Sequence, residues 1–388
     1  MRTPIAHRVL LRAGLLWLML LAPACAQSCD DWPLWRAFSG SFIQADGRVL
    51  ADESEYRYST SEGQAYALFF TLIANDRSAF DRILVWTRDN LAGGDLGARL
   101  PAWQWGKRPD GEWGVVDQNS ASDADTWLAY TLLEAGRLWH EPRYTAQGNL
   151  VLANIRIRLI RDFPGAGVML LPAASGFDLE EGGARFNTSY FPVQLLRAFS
   201  KADPSGPWSQ LVENSFKLLK SASPKGYVPD WVGYAPGRGY LTDPKFGAIG
   251  AHDAIRVYLW WGMLSRKDPM AAQLKKVLSG MNQLIPKHEV TPPLAVDTQT
   301  GVVSGISPPS FSAALLPYFE SMGNKSALKL QQERLTSQAV SGDLIGQNPR
   351  YYDQVLALFG QGWMEHRIGF SPQGQVVVKW KPVCVAVN

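Results

Sequence analysis

Apolar residues recur along most of the chain at the three- and four-residue spacing of helices, and loops rich in Gly, Pro, Asp and Ser separate these segments. The spacing predicts about twelve helices. Their approximate ranges are 32–44, 63–75, 78–92, 124–139, 143–162, 190–200, 207–221, 253–264, 268–284, 311–321, 325–337 and 349–363. Only GVMLLPA at 167–173 and GQVVVKW at 374–380 favour strands, so a central sheet is not expected.

Successive predicted helices differ in how much of their surface is apolar. AYALFFTLIA at 65–74 and AIRVYLWWGML at 254–264 are apolar nearly all round, which is typical of buried helices, whereas AFDRILVWTRDNLA at 79–92 has a charged face. This alternation predicts an all-α fold of about six helix pairs, with an inner ring enclosed by an outer ring: an (α/α)6 barrel. A helical solenoid is the alternative, but solenoids show a fixed sequence period and this chain shows none.

The first 26 residues have the pattern of a cleaved export signal. Three arginines precede a short apolar run, and the small-residue sequence Ala24-Cys25-Ala26 follows. A lipid anchor on Cys25 is the alternative, because LAPAC resembles a lipobox. We expect a single domain over 27–388 and no membrane insertion after cleavage, since no later segment has the roughly 18 uninterrupted apolar residues that a span needs.

Removal of the signal also changes the charge. The 38 Lys and Arg residues fall to 35, which equals the 35 Asp and Glu residues, so the mature chain is formally neutral. A neutral chain offers no electrostatic reason to bind nucleic acid or an anionic membrane. Cys29 and Cys384 are then the remaining cysteines, and in an oxidising compartment they are a disulfide candidate; two free thiols too far apart to meet are the alternative.

Carboxylates stand at the starts of three predicted inner helices: Glu62, the pair Asp123 and Asp125, and Asp253. The loops that lead into inner helices share one end of a double ring, so these side chains can meet in one cleft. Helix capping is the alternative for each acid taken alone. A serine precedes Glu62, Asp123 and Asp125 by three residues, which is the capping-box spacing, and acids favour helix N-termini.

Fifteen tryptophans are an unusual number. Trp103, Trp105 and Trp113 lie in LPAWQWGKRPDGEW, which is predicted to be a loop. Exposed rings beside acids are typical of a sugar-binding cleft, because pyranose faces stack on aromatic rings while carboxylates bind the hydroxyls. Packing of these rings beneath the barrel rim is the alternative.

Other chemistries find little support in the sequence. The five histidines show no HExxH or other metal-ligand spacing, so neither a metal nor another cofactor is expected. A P-loop, a GxGxxG motif and a GxSxG elbow are absent from the sequence. Paired carboxylates with aromatic platforms remain, and glycosidases work with this combination.

The segments STSEGQAYAL, ASDADTWLAYTLLEAGRLW, RFNTSYFP, PDWV and DAIRVYLW resemble motifs of the family 8 glycoside hydrolases, in particular the periplasmic endoglucanases encoded with bacterial cellulose synthases. The resemblance covers essentially the whole mature chain. It implies the (α/α)6 fold and an inverting, endo-acting cleavage of a β-1,4-glucan chain during cellulose synthesis and export. It also implies a periplasmic location, with a cellulose synthase complex as a further partner.

Carried over position by position, the resemblance makes Glu62 the general acid and Asp253 the general base. Asp123 holds the sugar at the cleavage subsite. Inversion implies that the acid and base carboxyl groups stand roughly 6.5–9.5 Å apart. The other implied contacts are Arg256, Asn187, Tyr190, Trp103, Trp105 and Trp231.

Arg256 is expected to orient Asp253 and keep it ionised. His252 precedes the base where the family more often has tyrosine, so we expect the surroundings of the attacking water to differ here. Leu128 and Thr131 are conservative departures within the signature. Two alternatives remain: the same machinery acting on chitosan, xylan or mixed-linkage glucan, or a non-catalytic glycan-binding component of an export complex.

Overall fold

Helices make up most of the part of the chain that the computed structural model describes, residues 32–51, 54–288, 291–338 and 343–380. The predicted export signal, Cys29 and Cys384 lie outside these residues. The helices are α1 (Pro33–Phe42), α2 (Ser61–Ile73), α3 (Arg77–Leu91), α4 (Ser122–Leu138), α5 (Pro142–Arg158), α6 (Val193–Ala202), α7 (Trp208–Ala222), α8 (Ala254–Met263), α9 (Pro269–Val277), α10 (Gly280–His288), α11 (Pro309–Met322), α12 (Lys325–Ser337) and α13 (Tyr351–Met364).

The helices form two concentric rings. The inner ring consists of α2, α4, α6, α8, α11 and α13, which pack on one another in chain order. Every residue of α8 is buried, and so is every residue of α2 except Glu62. The outer helices bury a single stripe, such as Ala327, Gln331 and Leu335 of α12. The predicted (α/α)6 fold is therefore confirmed.

Aromatic side chains fill the centre of the inner ring. Phe359 of α13 packs on Phe69 and Phe70 of α2, with ring centroids 5.6 and 4.6 Å apart, and so joins the last inner helix to the first. Trp127 of α4 and Trp260 of α8 lie 5.2 and 5.0 Å from the same ring. Burial of such large side chains stabilises the barrel more than any local helix preference does.

Two predicted helices have the wrong limits. The segment 268–284 is two helices, because Gly280 packs so closely on Gly226 that a Cβ at position 280 would lie 2.8 Å from a backbone atom of Gly226. The segment 143–162 ends its helix at Arg158, and its last residues form a strand that pairs with Gly167–Leu170.

Short strands form five small sheets at the helix connections, and the described residues contain no central sheet. The strands are β1 (Ser59–Thr60), β2 (Gln104–Lys107), β3 (Trp113–Asp117), β4 (Ile160–Phe163), β5 (Gly167–Leu170), β6 (Asp178–Leu179), β7 (Gly183–Asn187), β8 (Trp231–Ala235), β9 (Gly239–Thr242), β10 (Ile249–Gly250), β11 (Pro293–Asp297), β12 (Val303–Ile306), β13 (Gly369–Phe370) and β14 (Val376–Val377). The predicted strand at 167–173 corresponds to β5, and the one at 374–380 is reduced to β14.

Three of the sheets lie next to the starts of inner helices. The tryptophan-rich segment predicted to be a loop is instead the hairpin β2–β3, and β1 pairs with β2 immediately before α2 begins. In the sheet β10–β11–β12, the strand β10 comes shortly before the start of α8. In the sheet β6–β7–β8–β9, Asn187 is the register partner of Trp231. Among the described residues, no helix is long and apolar enough to cross a membrane.

Candidate active site

The starts of α2, α4 and α8 meet around one buried arginine. Arg256 donates from Nη1 to Asp123 Oδ2 at 2.8 Å and to the Tyr66 hydroxyl at 3.1 Å, and from Nη2 to Asp253 Oδ1 at 2.7 Å. The Arg256 side chain is only 7 % exposed. Acids that are 130 residues apart in the sequence (Asp253 − Asp123) therefore share one cation.

Glu62 does not cap its helix. Thr60 is the N-cap residue of α2, and its hydroxyl accepts from the Gly63 N–H at 3.1 Å. Ser59, the other half of the expected capping box, lies in β1 and accepts from Arg48 Nε. The Glu62 carboxyl instead accepts from Trp103 Nε1 at 3.1 Å, so capping is the wrong explanation for this residue.

The expected capping boxes do not form at the start of α4. The helix begins after Ala121 without a side-chain cap, and the Ser122 hydroxyl finds no hydrogen-bond partner among the described residues. Asp123 accepts from the Ala124 N–H at 2.9 Å in addition to Arg256. Asp125 is fully buried, and its burial, followed by the charges of Asp123 and Glu62, raises the pKa of its carboxyl well above the ordinary value.

Asp253 is held by two donors and remains partly open to solvent. Arg256 donates to one carboxyl oxygen, and Asn187 Nδ2 donates to the other at 2.8 Å. Asn187 is oriented in turn by Ser189, whose N–H and hydroxyl both donate to the Asn187 Oδ1. The Asp253 side chain is 28 % exposed, which leaves room for a water molecule to approach it.

Glu62 and Asp253 lie in different electrostatic surroundings. Burial and, after it, the neighbouring Asp123 carboxylate raise the pKa of Glu62 to about 8, although Arg256 and the Trp103 N–H oppose the rise. Glu62 is therefore protonated at neutral pH. Asp253 instead accepts from a guanidinium and an amide. A protonated carboxyl group and a second carboxyl group that can accept a proton are what acid–base cleavage of a glycosidic bond requires.

A cleft of about 270 Å³ opens beside Glu62. Trp103, Phe177 and Phe246 line its walls, together with Tyr190, whose ring lies 5.7 Å from the Arg256 guanidinium. Trp103 and Phe246 are 38 % and 47 % exposed, so both offer a ring face or edge to a ligand. Stacking platforms beside hydroxyl-binding groups suit a chain of pyranose rings.

The three predicted stacking rings, Trp103, Trp105 and Trp231, have different surroundings in the structure. Trp103 lies on the cleft wall. Trp231 also lines the cleft, but Phe177 stacks parallel to it at 5.5 Å and the Arg185 guanidinium lies 4.9 Å from it. Trp105 contacts Trp113 of the same hairpin, Trp86 of α3 and the Arg48 guanidinium. For Trp105, the alternative of packing at the rim describes the structure, because neighbouring rings and a cation surround it.

The imidazole of His252 packs nearly perpendicular to the ring of Phe311, with a centroid distance of 5.3 Å. Its backbone carbonyl accepts from the Tyr352 hydroxyl at 2.5 Å. Tyr352 of α13 therefore lies next to the residue that precedes Asp253.

Several residues of the site were not predicted from the sequence. They are Tyr66, Phe177, Asp230, Phe246 and Tyr352. Tyr66 lies one helical turn after Glu62, a spacing that places both on one face of α2 and could have identified it. Among the described residues, no cluster of three or more His, Cys, Asp or Glu is arranged to hold a metal ion.

Comparison with known proteins identifies the family of the chain. The sequence profile of the family described as Glycosyl hydrolases family 8 matches residues 9–366. An endoglucanase of Xanthomonas axonopodis pv. citri (strain 306) is 44 % identical over 388 residues, which cover 98 % of this chain and all of that protein. An endoglucanase of Escherichia coli (strain K12) is 42 % identical, covering 96 % of this chain and 98 % of that one. The crystal structure of an endo-1,4-D-glucanase from Vibrio fischeri ES114 superimposes with a TM-score of 0.85 at 39 % identity, covering 90 % of this chain and 99 % of that chain.

Proposed function

The chain belongs to glycosyl hydrolase family 8, and from this premise we propose that it is an endo-acting β-1,4-glucanase that hydrolyses its substrate with inversion. The observation that carries the proposal is the contrast between two carboxyl groups that share the neighbours Asp123 and Arg256. Glu62 is protonated at neutral pH, whereas Asp253 is held by Arg256 and Asn187. Relatives that are 44 % and 42 % identical over nearly the whole chain are named endoglucanases, which supports the substrate.

In the proposed reaction, Glu62 gives its proton to the departing glycosidic oxygen. Asp253 takes a proton from a water molecule that attacks the anomeric carbon from the opposite face of the sugar. Asp123, bound to Arg256, accepts from a hydroxyl of the sugar at the cleavage subsite. Arg256 donates to both Asp123 and Asp253, so its positive charge offsets part of the negative charge of the two carboxyl groups.

We further propose that residues 1–26 are removed during export and that the enzyme acts on cellulose in the periplasm as the polymer is synthesised and secreted. The export pattern of the first residues and the resemblance to endoglucanases of cellulose synthesis support this setting. Docking on a cellulose synthase complex is part of the same proposal.

The activity is tested by incubating the protein and its Glu62→Gln variant with carboxymethyl cellulose, chitosan and xylan. We expect the native chain to lower the viscosity of carboxymethyl cellulose faster than it releases reducing ends. Glu62→Gln should lose at least about a hundredfold in rate, since general acid catalysis contributes about 10²–10⁴-fold. Glu333→Gln, at an exposed position of the outer helix α12, is the matched control and should keep full activity.

The stereochemical course is measured by proton NMR of the first sugar released. An inverting enzyme releases the α-anomer from a β-linked glucan, and an initial β-anomer would contradict the proposed mechanism. Binding of all three polymers without any loss of viscosity would identify a glycan-binding component instead. Cleavage of chitosan or xylan but not of cellulose would keep the mechanism and change the substrate.

A further inference from the structure

Asp230 caps the helix that carries Asp253, from a different part of the chain. Its Oδ1 accepts from three backbone N–H groups at the start of α8, those of Ala251 at 2.7 Å, Asp253 at 3.1 Å and Ala254 at 2.7 Å. Asp253 occupies the N-cap position itself but makes no side-chain capping hydrogen bond. The orphan donors of this helix end are therefore satisfied without the side chain that would ordinarily do so.

An aspartate at the N-cap normally turns its carboxylate back over the first turn to accept from the N–H groups there. Such a bond would draw the Asp253 oxygens away from the cleft. In the structure those oxygens are free to accept from Arg256 and Asn187. We propose that Asp230 is a positioning residue for the general base: it takes over the capping of α8, leaves the Asp253 carboxylate facing the cleft, and strengthens that base through its own negative charge. This inference rests on the proposed role of Asp253.

The position of Asp230 is determined from both sides by backbone hydrogen bonds. Its N–H donates to the Ile249 carbonyl of β10 at 2.8 Å, and its own carbonyl accepts from the Thr188 N–H at 3.1 Å. The residue thus links the sheet before α8 to the turn that follows Asn187. A rigid acceptor at this point keeps the first turn of α8 in one orientation relative to Asn187.

The charged and titratable groups around Asp230 are Asp253 and Arg256 of the α8 segment and Tyr352 of α13, with the exposed His252 ring next to them. Burial and, after it, the charge of Asp253 raise the pKa of Asp230 to about 6, although the backbone donors and Arg256 oppose the rise. Above about pH 6 Asp230 is therefore an anion, and a nearby anion favours transfer of a proton from water to Asp253. Below that pH the charge is lost and the base becomes weaker.

Two substitutions separate the charge of Asp230 from its capping role. Asp230→Asn keeps an oxygen that can accept from the three N–H groups but removes the charge. We expect kcat to fall about tenfold, KM to change less than about twofold, and the acidic limb of the kcat/KM profile to move to lower pH, with little change in Tm because Asn caps as well as Asp. Asp230→Ala removes both functions and should also lower Tm.

The matched control is Asp268→Asn. Asp268 is likewise a buried capping aspartate, which accepts from the Met270 N–H at the start of α9 and pairs with Arg197, but it lies outside the cleft. This variant should lower Tm and leave the pH profile in place. An Asp230→Asn profile that superimposes on that of the native enzyme would overturn the proposal and leave Asp230 a purely structural cap.

A second measurement needs no substrate. In protein labelled with ¹³C at the aspartate carboxyl, the Asp230 resonance is identified by its loss in Asp230→Asn, and its titration is followed by NMR. We expect a midpoint near pH 6 in the native chain and a lower midpoint in Asp253→Asn, because the charge of Asp253 contributes to the raised pKa of Asp230. An unchanged midpoint would overturn the coupling of the two carboxyl groups. Failure of the native chain to cleave glucan would contradict the proposed function instead, and this titration would still be readable.

Discussion

Trp103 has two connections to the acid of the site. Its indole N–H donates to Glu62 Oε1, and its backbone carbonyl accepts from the Ser61 N–H at 2.9 Å. The first contact stabilises the ionised form of Glu62 and works against the burial that raises its pKa to about 8. A ring that would stack on substrate therefore also limits how strongly Glu62 holds its proton.

This contact predicts a shift in pH dependence. Glu62 must be protonated to act as the acid, so activity is lost as the pH rises through its pKa, and the basic limb of kcat/KM should lie near pH 8. Trp103→Phe keeps a ring but removes the N–H donor, so the pKa of Glu62 should rise and the basic limb should move to higher pH. KM should rise as well, because the smaller ring stacks less well.

The control for that experiment is Trp113→Phe. Trp113 is 47 % exposed and lies on the same hairpin, where it stacks on Trp105 without contacting Glu62. The basic limb of the kcat/KM profile of Trp113→Phe should coincide with that of the native enzyme. Equal profiles for Trp103→Phe and the native chain would show that the indole N–H has no influence on the acid.

Glycines allow the inner helices to approach one another closely. A Cβ on Gly360 of α13 would lie 1.9 Å from the carbonyl oxygen of Ala313 in α11, and a Cβ on Gly262 of α8 would lie 2.4 Å from the backbone nitrogen of Tyr318. Contacts to backbone atoms cannot be relieved by a change of rotamer. The spacing of the inner ring therefore depends on these positions, although glycine is a poor helix former.

Gly360→Ala should consequently destabilise the protein in spite of the better helix preference of alanine. We expect a loss of about 1–3 kcal/mol in the free energy of unfolding, the usual effect of overpacking. Gly40→Ala is the matched substitution on the outer helix α1, where nothing lies within 4 Å of the added Cβ, and it should stabilise by roughly 0.5–1 kcal/mol. Thermal and urea unfolding of both variants measures the difference; the same sign for both would contradict the packing argument.

The cleft is assembled from parts of the chain that are far apart in sequence. The site residues Glu62, Asp123, Asn187 and Asp253 come from three inner helices and one sheet. A glucan bound at the site would hold these elements together, and unfolding of any one of them would destroy the site. Ligand that binds the folded chain alone stabilises it by mass action.

Cellohexaose should therefore raise the Tm of the Glu62→Gln variant, which is expected to bind without cutting. At a ligand concentration about 100 times Kd, the stabilisation should be about 2.7 kcal/mol. Maltohexaose has the same composition with α-linkages and should raise Tm much less. Equal shifts with both sugars would mean that the cleft does not select β-linked chains.

Much of this architecture can be predicted from the amino-acid sequence. The alternation of helices that are apolar all round with helices that have a single apolar stripe leads to two rings, because each stripe must be buried against a neighbour. Acids at the starts of α2, α4 and α8 indicate one cleft, and the motifs around them lead to the family. The export signal and the pairing of Cys29 with Cys384 remain predictions.

Other features depend on contacts that no local pattern contains. Whether a tryptophan can stack on a sugar or is packed within the protein depends on its neighbours. Trp103 and Trp105 are only two residues apart, but Trp103 lines the cleft, whereas Trp105 packs against Arg48 and Trp86. The sequence left helix capping as the alternative for Glu62, whereas the capping of the helix that carries the proposed base comes from Asp230, 23 residues before Asp253. Sequence periodicity specifies which face of an element is buried, but the charge, orientation and proton affinity of a side chain are set by groups that only folding brings within a few ångströms.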